Sequence, residues 1–186
     1  MRVLFWVSMA AWAALEIGLM LREGLAGAID RGQDRGSGPF LILLIAVAIA
    51  ADLALSRGPD WPRLRDGALF AGGIALVWAG LLLRLWAVMT LGRFFRLVVI
   101  VQSGHRVIRN GPYRVLRHPA YSGTMLTMIG LGLALDNWLG LAACVVLPLI
   151  GYARRVTVEE TALRQRLGPE YVEYSCTTRR LIPFVW

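Results

Sequence analysis

The run Ala68–Leu91, ALFAGGIALVWAGLLLRLWAVMTL, decides the fold class. Its 24 residues carry a single charge, Arg84, and exceed the ~20 apolar residues that a helix needs to cross a hydrocarbon core. An ordinary surface helix of that length would need a polar face, and this one has none. The rest of the chain has the same character. Hydrophobic residues fill 57% of the 186 positions and mean hydropathy is +0.58, against roughly 45–50% apolar residues in soluble domains. The sequence reads as an all-α polytopic membrane protein.

Outward from this run lie four more apolar segments: Val3–Leu21, Phe40–Leu55, Tyr121–Leu135 and Trp138–Ala153. The expectation is about five transmembrane helices, over approximately 3–21, 40–55, 68–91, 121–135 and 138–153, in one integral membrane domain spanning 1–186. Val3–Leu21 reads as a span and not a leader, because cleavage after Ala11-Trp12-Ala13 would leave an unusually short signal peptide. Ser56-Arg57-Gly58-Pro59 stops the second segment. Asp136-Asn137 is so short a break that the last two segments should form a tight helical hairpin, with Pro148 kinking its second arm. Beyond Ala153 the helical pattern continues to Leu167 and stops at Gly168-Pro169.

Charge sets the topology. All 20 basic residues are arginines, and the net charge is +8. Their placement between apolar blocks, with no nucleic-acid-binding motif, argues against a nucleic-acid partner. Arg22, Arg31 and Arg35, six arginines between Gly92 and His118, and six more from Arg154 onward fall on one face; Arg2, Arg57, Arg63 and Arg65 fall on the other. The positive-inside rule makes the first face cytoplasmic, together with the C-terminus. Glu16, Asp52 and Arg84 lie inside spans, so pairing across helices or snorkelling is expected of them. Cys144 and Cys176 have neither metal-like nor disulfide-framework spacing, so no metal site is read, and Cys144 reads as a small buried hydrophobe. Nothing in the sequence gives an oligomeric state.

Chemistry concentrates in Gly111–Gly123, GPYRVLRHPAYSG. Pro119 holds His118 in an extended conformation and suits the first turn of a helix. Arg117 and His118 then stand at a helix N-terminus, where free N–H groups and the dipole favour anions. Spacing alone equally allows these arginines and tyrosines to anchor the chain at the lipid interface. Some forty residues on, at about 100° per residue, Glu159 and Glu160 fall about 60° and about 40° on either side of Val156, straddling the apolar stripe of Val156, Leu163 and Leu167. An inward carboxylate needs a cationic or hydrogen-bonding partner; taken by themselves, the two could also be solvated acids balanced by Arg154 and Arg155.

His105-x-Val-Ile-x-x-Gly111-Pro-Tyr-x-x-x-Arg117-His118-Pro119-x-Tyr121-x-Gly123, then Glu159-Glu160-x-x-Leu163, then Gly168-x-x-Tyr171-x-x-Tyr174, resembles the isoprenylcysteine carboxyl methyltransferase family of integral membrane methyltransferases. The likeness covers Gln102 to Pro183 in three ordered blocks and leaves the first half nearly untouched. It implies an S-adenosylmethionine-dependent enzyme with a cofactor site built from approximately 102–123 and 156–183 on the cytoplasmic side. A lipophilic or lipid-linked acceptor would enter from the bilayer between helices.

Carried over position by position, the resemblance assigns cofactor binding to Gln102, His105, Gly111, Tyr113, His118, Pro119, Tyr121 and Glu160. Catalysis falls to Arg117 and Glu159. The residue types suit a cationic sulfonium, which aromatic faces and carboxylates stabilise, and Arg117 is suited to hold an acceptor carboxylate. Three readings stand at this point: carboxyl methylation, methylation of a phospholipid amine, and a non-catalytic sensor or scaffold that keeps the pocket.

Overall fold

A computed structural model describes residues 2–25, 34–57, 67–100, 104 and 106–182. Six helices follow in order: α1 (Arg2–Leu25), α2 (Ser37–Arg57), α3 (Gly67–Leu91), α4 (Pro119–Ala134), α5 (Trp138–Leu167) and α6 (Pro169–Thr177). Short 3-10 turns at Gly92–Phe94 and Gly111–Arg114 punctuate the connector between α3 and α4.

Among the described residues, α1, α2, α3 and α5 are long and apolar enough to cross a membrane. Their outward faces carry large apolar side chains such as Trp6, Leu43, Leu82 and Ile150. So many exposed hydrophobics on a water-soluble protein would drive association, whereas a bilayer solvates them. The segment expected as the fourth span forms α4, which falls short of those four. Pro119 opens it and a left-handed Asp136 lies just beyond it, leaving 16 residues, or ~24 Å against a hydrocarbon core of ~30 Å. Asn137 then starts α5, its side chain accepting from the N–H groups of Leu139 and Gly140, which makes the expected hairpin. The helix runs on through Pro148 as one element of 30 residues.

α4 lies antiparallel against α3 with almost no space between backbones. A Cβ at Gly73 would stand 2.7 Å from Gly130 O, and one at Gly123 would stand 2.7 Å from Gly80 O. Small residues at seven-residue spacing on both helices permit this approach, which suits a setting where dispersion replaces the hydrophobic effect between helices. α1 runs parallel to α3 along three polar rungs: Trp78 Nε1 donates to Ser8 Oγ at 3.1 Å, Arg84 Nε meets Glu16 Oε1 at 2.7 Å, and Arg22 donates to Gly92 O at 2.6 Å. Glu16 and Arg84 thus pair across helices, as expected of charges inside a span. α2 packs on α5, where the Cys144 thiol donates to Asp52 Oδ2 at 3.4 Å, with both residues fully buried.

The result is a bundle with one busy end. The last turns of α1 and α3 and the first turns of α2 and α4 meet there, and α5 passes beyond them. A 30-residue helix is ~45 Å long, of which about 20 residues fill the core. The turn bearing Glu159 and Glu160 therefore projects past the membrane-crossing part of α5.

Candidate functional site

Glu160 is 2% exposed, yet three arginines and His118 surround it. Arg117 Nε donates to its Oε1 at 2.8 Å, Arg164 and Arg180 reach its Oε2 at 3.1 and 3.2 Å, and His118 Nε2 stands 3.5 Å from Oε1 without hydrogen-bond geometry. Burial alone would raise this carboxyl, but the facing His118, Arg180 and Arg117 outweigh it and bring it down to about 2. Arg117 also gives Nη1 to Ser175 O at 2.7 Å and Thr178 O at 2.6 Å. The tail is thereby drawn alongside the start of α4, where Leu116 and Arg179 form a parallel bridge and Ser122 Oγ donates to Leu181 O. Of the two readings the sequence left open, inward carboxylates needing cationic partners or solvated acids balanced by Arg154 and Arg155, Glu160 follows the first: Arg117 and Arg180 come from two other segments and Arg164 from its own helix.

Glu159 is placed differently. Its side chain is 29% exposed and lies in the wall of a cavity. The Tyr121 hydroxyl donates to Glu159 Oε2 at 2.6 Å and accepts from Arg155 Nε at 2.9 Å. His118 Nδ1 lies 3.6 Å from the same Glu159 oxygen, and its ring stacks on Tyr121 with a 7° interplanar angle. The two nitrogens of one imidazole thus face two different carboxylates. That follows from the chain break at Pro119, which leaves His118 at the N-cap with φ −125° and ψ 55°.

Arg155 is the residue that sequence reasoning missed. Read as one of two surface counter-charges, it is 3% exposed and spends all three nitrogens. Nε goes to Tyr121, Nη1 to Asp34 Oδ1 at 2.8 Å and to Ser37 Oγ, and Nη2 to Leu97 O. Burial raises the Asp34 carboxyl, but the N–H groups of Gly38 and Val99 and the Arg155 guanidinium more than offset this and hold it below its ordinary value. No periodicity in the sequence links Asp34 to a position 121 residues later.

Two cavities meet at this network. One, about 830 Å³ counting the part open to solvent, is lined by Tyr113, Arg117, His118, Glu159 and Tyr171 with apolar walls from Leu163 and Leu167. The other, about 950 Å³ on the same measure, is almost wholly apolar and lies against α1 and α2, with Trp12, Met20, Ile42, Ile45 and Ile49 in its wall. Phe95, Arg96, Tyr121 and Arg155 line both.

The chemistry of the first cavity fits S-adenosylmethionine. The Tyr171 hydroxyl is buried there with no hydrogen-bond partner among the described residues, which leaves a donor for a ligand's polar atoms. Burial, then the nearby Glu160 and Glu159, raise its phenol, and burial pushes that of Tyr174 up to about 12, so both stay neutral. Tyr113, His118 and Tyr121 offer aromatic faces, and Glu159 offers a partly open carboxylate.

The other residues assigned by resemblance fall out as follows. Gly111, at φ +55°, turns the connector against α3, where a Cβ would meet Thr90 Oγ1 at 3.0 Å. Pro119 is fully buried in the first turn of α4. Neither lines either of these two cavities. Gln102 and His105 lie outside the described residues.

Residues 68–170 match the model of the phospholipid methyltransferase family. The chain belongs to that family. The matched region runs from α3 through the start of α6 and holds Arg117, His118, Tyr121, Glu159 and Glu160. A probable protein-S-isoprenylcysteine O-methyltransferase of Oryza sativa subsp. indica is 35% identical over 115 residues, 61% of this chain and 60% of the relative. The protein-S-isoprenylcysteine O-methyltransferase of Saccharomyces cerevisiae is 33% identical over 115 residues, 61% of this chain and 48% of its own. This member of the methyltransferase family therefore aligns with about half to three-fifths of the length of those relatives. A solved structure of a eukaryotic intramembrane Ras methyltransferase, an isoprenylcysteine carboxyl methyltransferase, superposes with a TM-score of 0.69 over 98% of this chain and 67% of that one, at 22% identity. The resemblance drawn from the three sequence blocks is borne out, and with it the polytopic all-α fold.

Proposed function

We propose that this methyltransferase-family protein transfers a methyl group from S-adenosylmethionine to the carboxylate of a lipophilic acceptor. The observation that carries the reading is the shared wall of Phe95, Arg96, Tyr121 and Arg155 between a polar cavity and an apolar one. The polar cavity holds the cofactor, with His118, Tyr113, Tyr121 and Tyr171 around it. Gln102 and His105 belong to the same connector and are proposed to complete the site. The apolar cavity takes the acceptor's hydrocarbon from the bilayer between α1 and α2. The arginine-rich end, with the site and the C-terminus, faces the cytoplasm.

S-adenosylmethionine supplies an electrophilic methyl on a positively charged sulfur. Glu159 stabilises that charge at the cavity wall, held in place by Tyr121 and His118, while the aromatic faces add cation–π attraction. Transfer forms an O–CH3 bond and breaks the S–CH3 bond, with sulfur taking the electron pair. No proton moves, because a carboxylate is already ionised at neutral pH. The protein's task is then alignment, which is worth about 7–11 kcal/mol when reacting atoms are held in near-attack geometry. Arg117 serves as a positioning residue that fixes Glu160 and the tail around the cofactor cavity, and Gly111 and Pro119 shape the backbone beside it.

A second reading is methylation of a phospholipid amine, favoured by the description of the family that residues 68–170 match. The two differ in proton bookkeeping. Purified protein in detergent, given labelled S-adenosylmethionine and lipophilic acids or amines of equal chain length, should methylate the acids at a rate flat above the acid's pKa. A rate that rises with pH on amines, with no transfer to acids, would establish the second reading. Cofactor binding by calorimetry with transfer to neither would leave a non-catalytic sensor or scaffold.

A further inference from the structure

The reading above places an acceptor carboxylate where the two cavities join, and some cation must recognise it there. Three arginines line the apolar cavity: Arg84, Arg96 and Arg155. Arg84 gives Nη2 to Glu16 and Nη1 to Ala120 O, and its Nε is ion-paired with Glu16 Oε1 at 2.7 Å. Arg155 has committed all three nitrogens, as described. Arg117 faces the cofactor cavity but is absent from the apolar one, and its Nε and Nη1 clasp Glu160 and the tail.

Arg96 differs from all of these. It lines both cavities, its side chain is 23% exposed, and its one ion-pair neighbour among the described residues, Glu23 Oε2, stands 3.9 Å from Nη1, beyond hydrogen-bond length. Its backbone is nevertheless fixed. Glu23 Oε2 accepts from Leu97 N at 3.4 Å, Arg155 donates to Leu97 O, and Asp34 Oδ1 accepts from Val99 N at 3.2 Å. A guanidinium with open donors, held on a pinned loop at the mouth of an apolar cavity, is arranged to take a planar carboxylate by two parallel N–H bonds.

From this we infer that Arg96 anchors the acceptor's carboxylate, so that it selects acids over neutral or cationic head groups and sets the attacking oxygen at the edge of the cofactor cavity. The inference rests on the proposed carboxyl methylation. Arg96 belongs to the connector between α3 and α4, just ahead of the segment that carried the family resemblance, and the motif spacing gives it no role.

The test uses the full chain in detergent and two probes, an S-prenylated N-acetylcysteine and its primary amide, with affinities from substrate KM and competitive inhibition. The unaltered chain should favour the acid over the amide by about tenfold to a hundredfold, the scale of a charge-assisted hydrogen bond. Arg96→Gln should bring that ratio close to one by weakening the acid alone, while the thermal shift given by S-adenosylhomocysteine stays intact. Arg96→Lys should recover part of it. Equal affinity of the unaltered chain for acid and amide overturns the proposal without any variant, and so does an unchanged ratio in Arg96→Gln. Transfer to amines and to no carboxylate would instead remove the reading on which the proposal rests.

Discussion

Arg117 Nε lies 2.8 Å from Glu160 Oε1, joining the residue two before α4 to the projecting turn of α5. The same guanidinium holds the carbonyls of Ser175 and Thr178. One side chain therefore fastens three segments around the polar cavity, and its loss should be felt first in structure and only then in chemistry.

Arg117→Ala is expected to lower stability by about 1.5–3 kcal/mol, the range for hydrogen bonds to charged groups. Glu160 would keep Arg180 and Arg164, which limits the damage. Thermal unfolding in detergent, with and without S-adenosylhomocysteine, should show a lower midpoint and a smaller ligand-induced rise together. A full-strength midpoint with lost turnover would return Arg117 to direct contact with the acceptor.

The two adjacent carboxylates should separate by substitution. Glu160→Gln leaves Arg117 and Arg180 without their shared anion and should cost up to about 3 kcal/mol, near the low end for breaking a buried pair. Glu159→Gln sits at a partly open wall and should leave the unfolding midpoint nearly unchanged while weakening S-adenosylmethionine binding about tenfold, as loss of a charged contact does. Calorimetry and thermal unfolding on both variants measure the contrast, and equal behaviour would contradict it.

Gly123→Ala tests the packing of α4 on α3. The added Cβ would stand 2.7 Å from Gly80 O and 2.8 Å from Arg84 N, both backbone atoms that cannot swing aside. Overpacking of this kind costs about 1–3 kcal/mol. Because Arg84 lies at the contact, the variant should also disturb the Glu16 pair, visible as a lower unfolding midpoint than for Gly72→Ala, where nothing lies within 4 Å.

Acid should release the Asp34–Arg155 lock. Asp34 in the folded chain titrates below the ordinary aspartate range, so the unfolded chain binds a proton first as pH falls. Its contribution to stability is complete above the unfolded value and is lost as pH drops through the folded one. Asp34→Asn should therefore lower the unfolding midpoint throughout the range above about pH 4. Its gap to the unaltered chain should narrow at more acid pH, and a gap independent of pH would assign Asp34 a role other than its charge.

The sequence by itself determined the polytopic all-α membrane class, the position of most of the helices and the two segments that carry the family resemblance. Apolar run length, Pro119, Asp136-Asn137 and Gly168-Pro169 act within one or two turns, so they can be read locally. The facing of Glu160 inward was also legible, because helical periodicity is local.

The partners were decided only by tertiary structure. Arg155 meets Asp34 across 121 residues, Arg84 meets Glu16 across 68 and Arg180 joins Arg117 on one carboxylate. Such pairs depend on which helix ends share one end of the bundle, and no spacing encodes that. The close packing of α4 on α3 was settled the same way. An apolar run looks alike whether it faces lipid or another helix, and the glycines of α3 set how closely the two backbones approach. Arg96 carries no mark in the sequence that separates it from nineteen other arginines. What distinguishes it is where the folded chain leaves its donors: open, at the junction of two cavities.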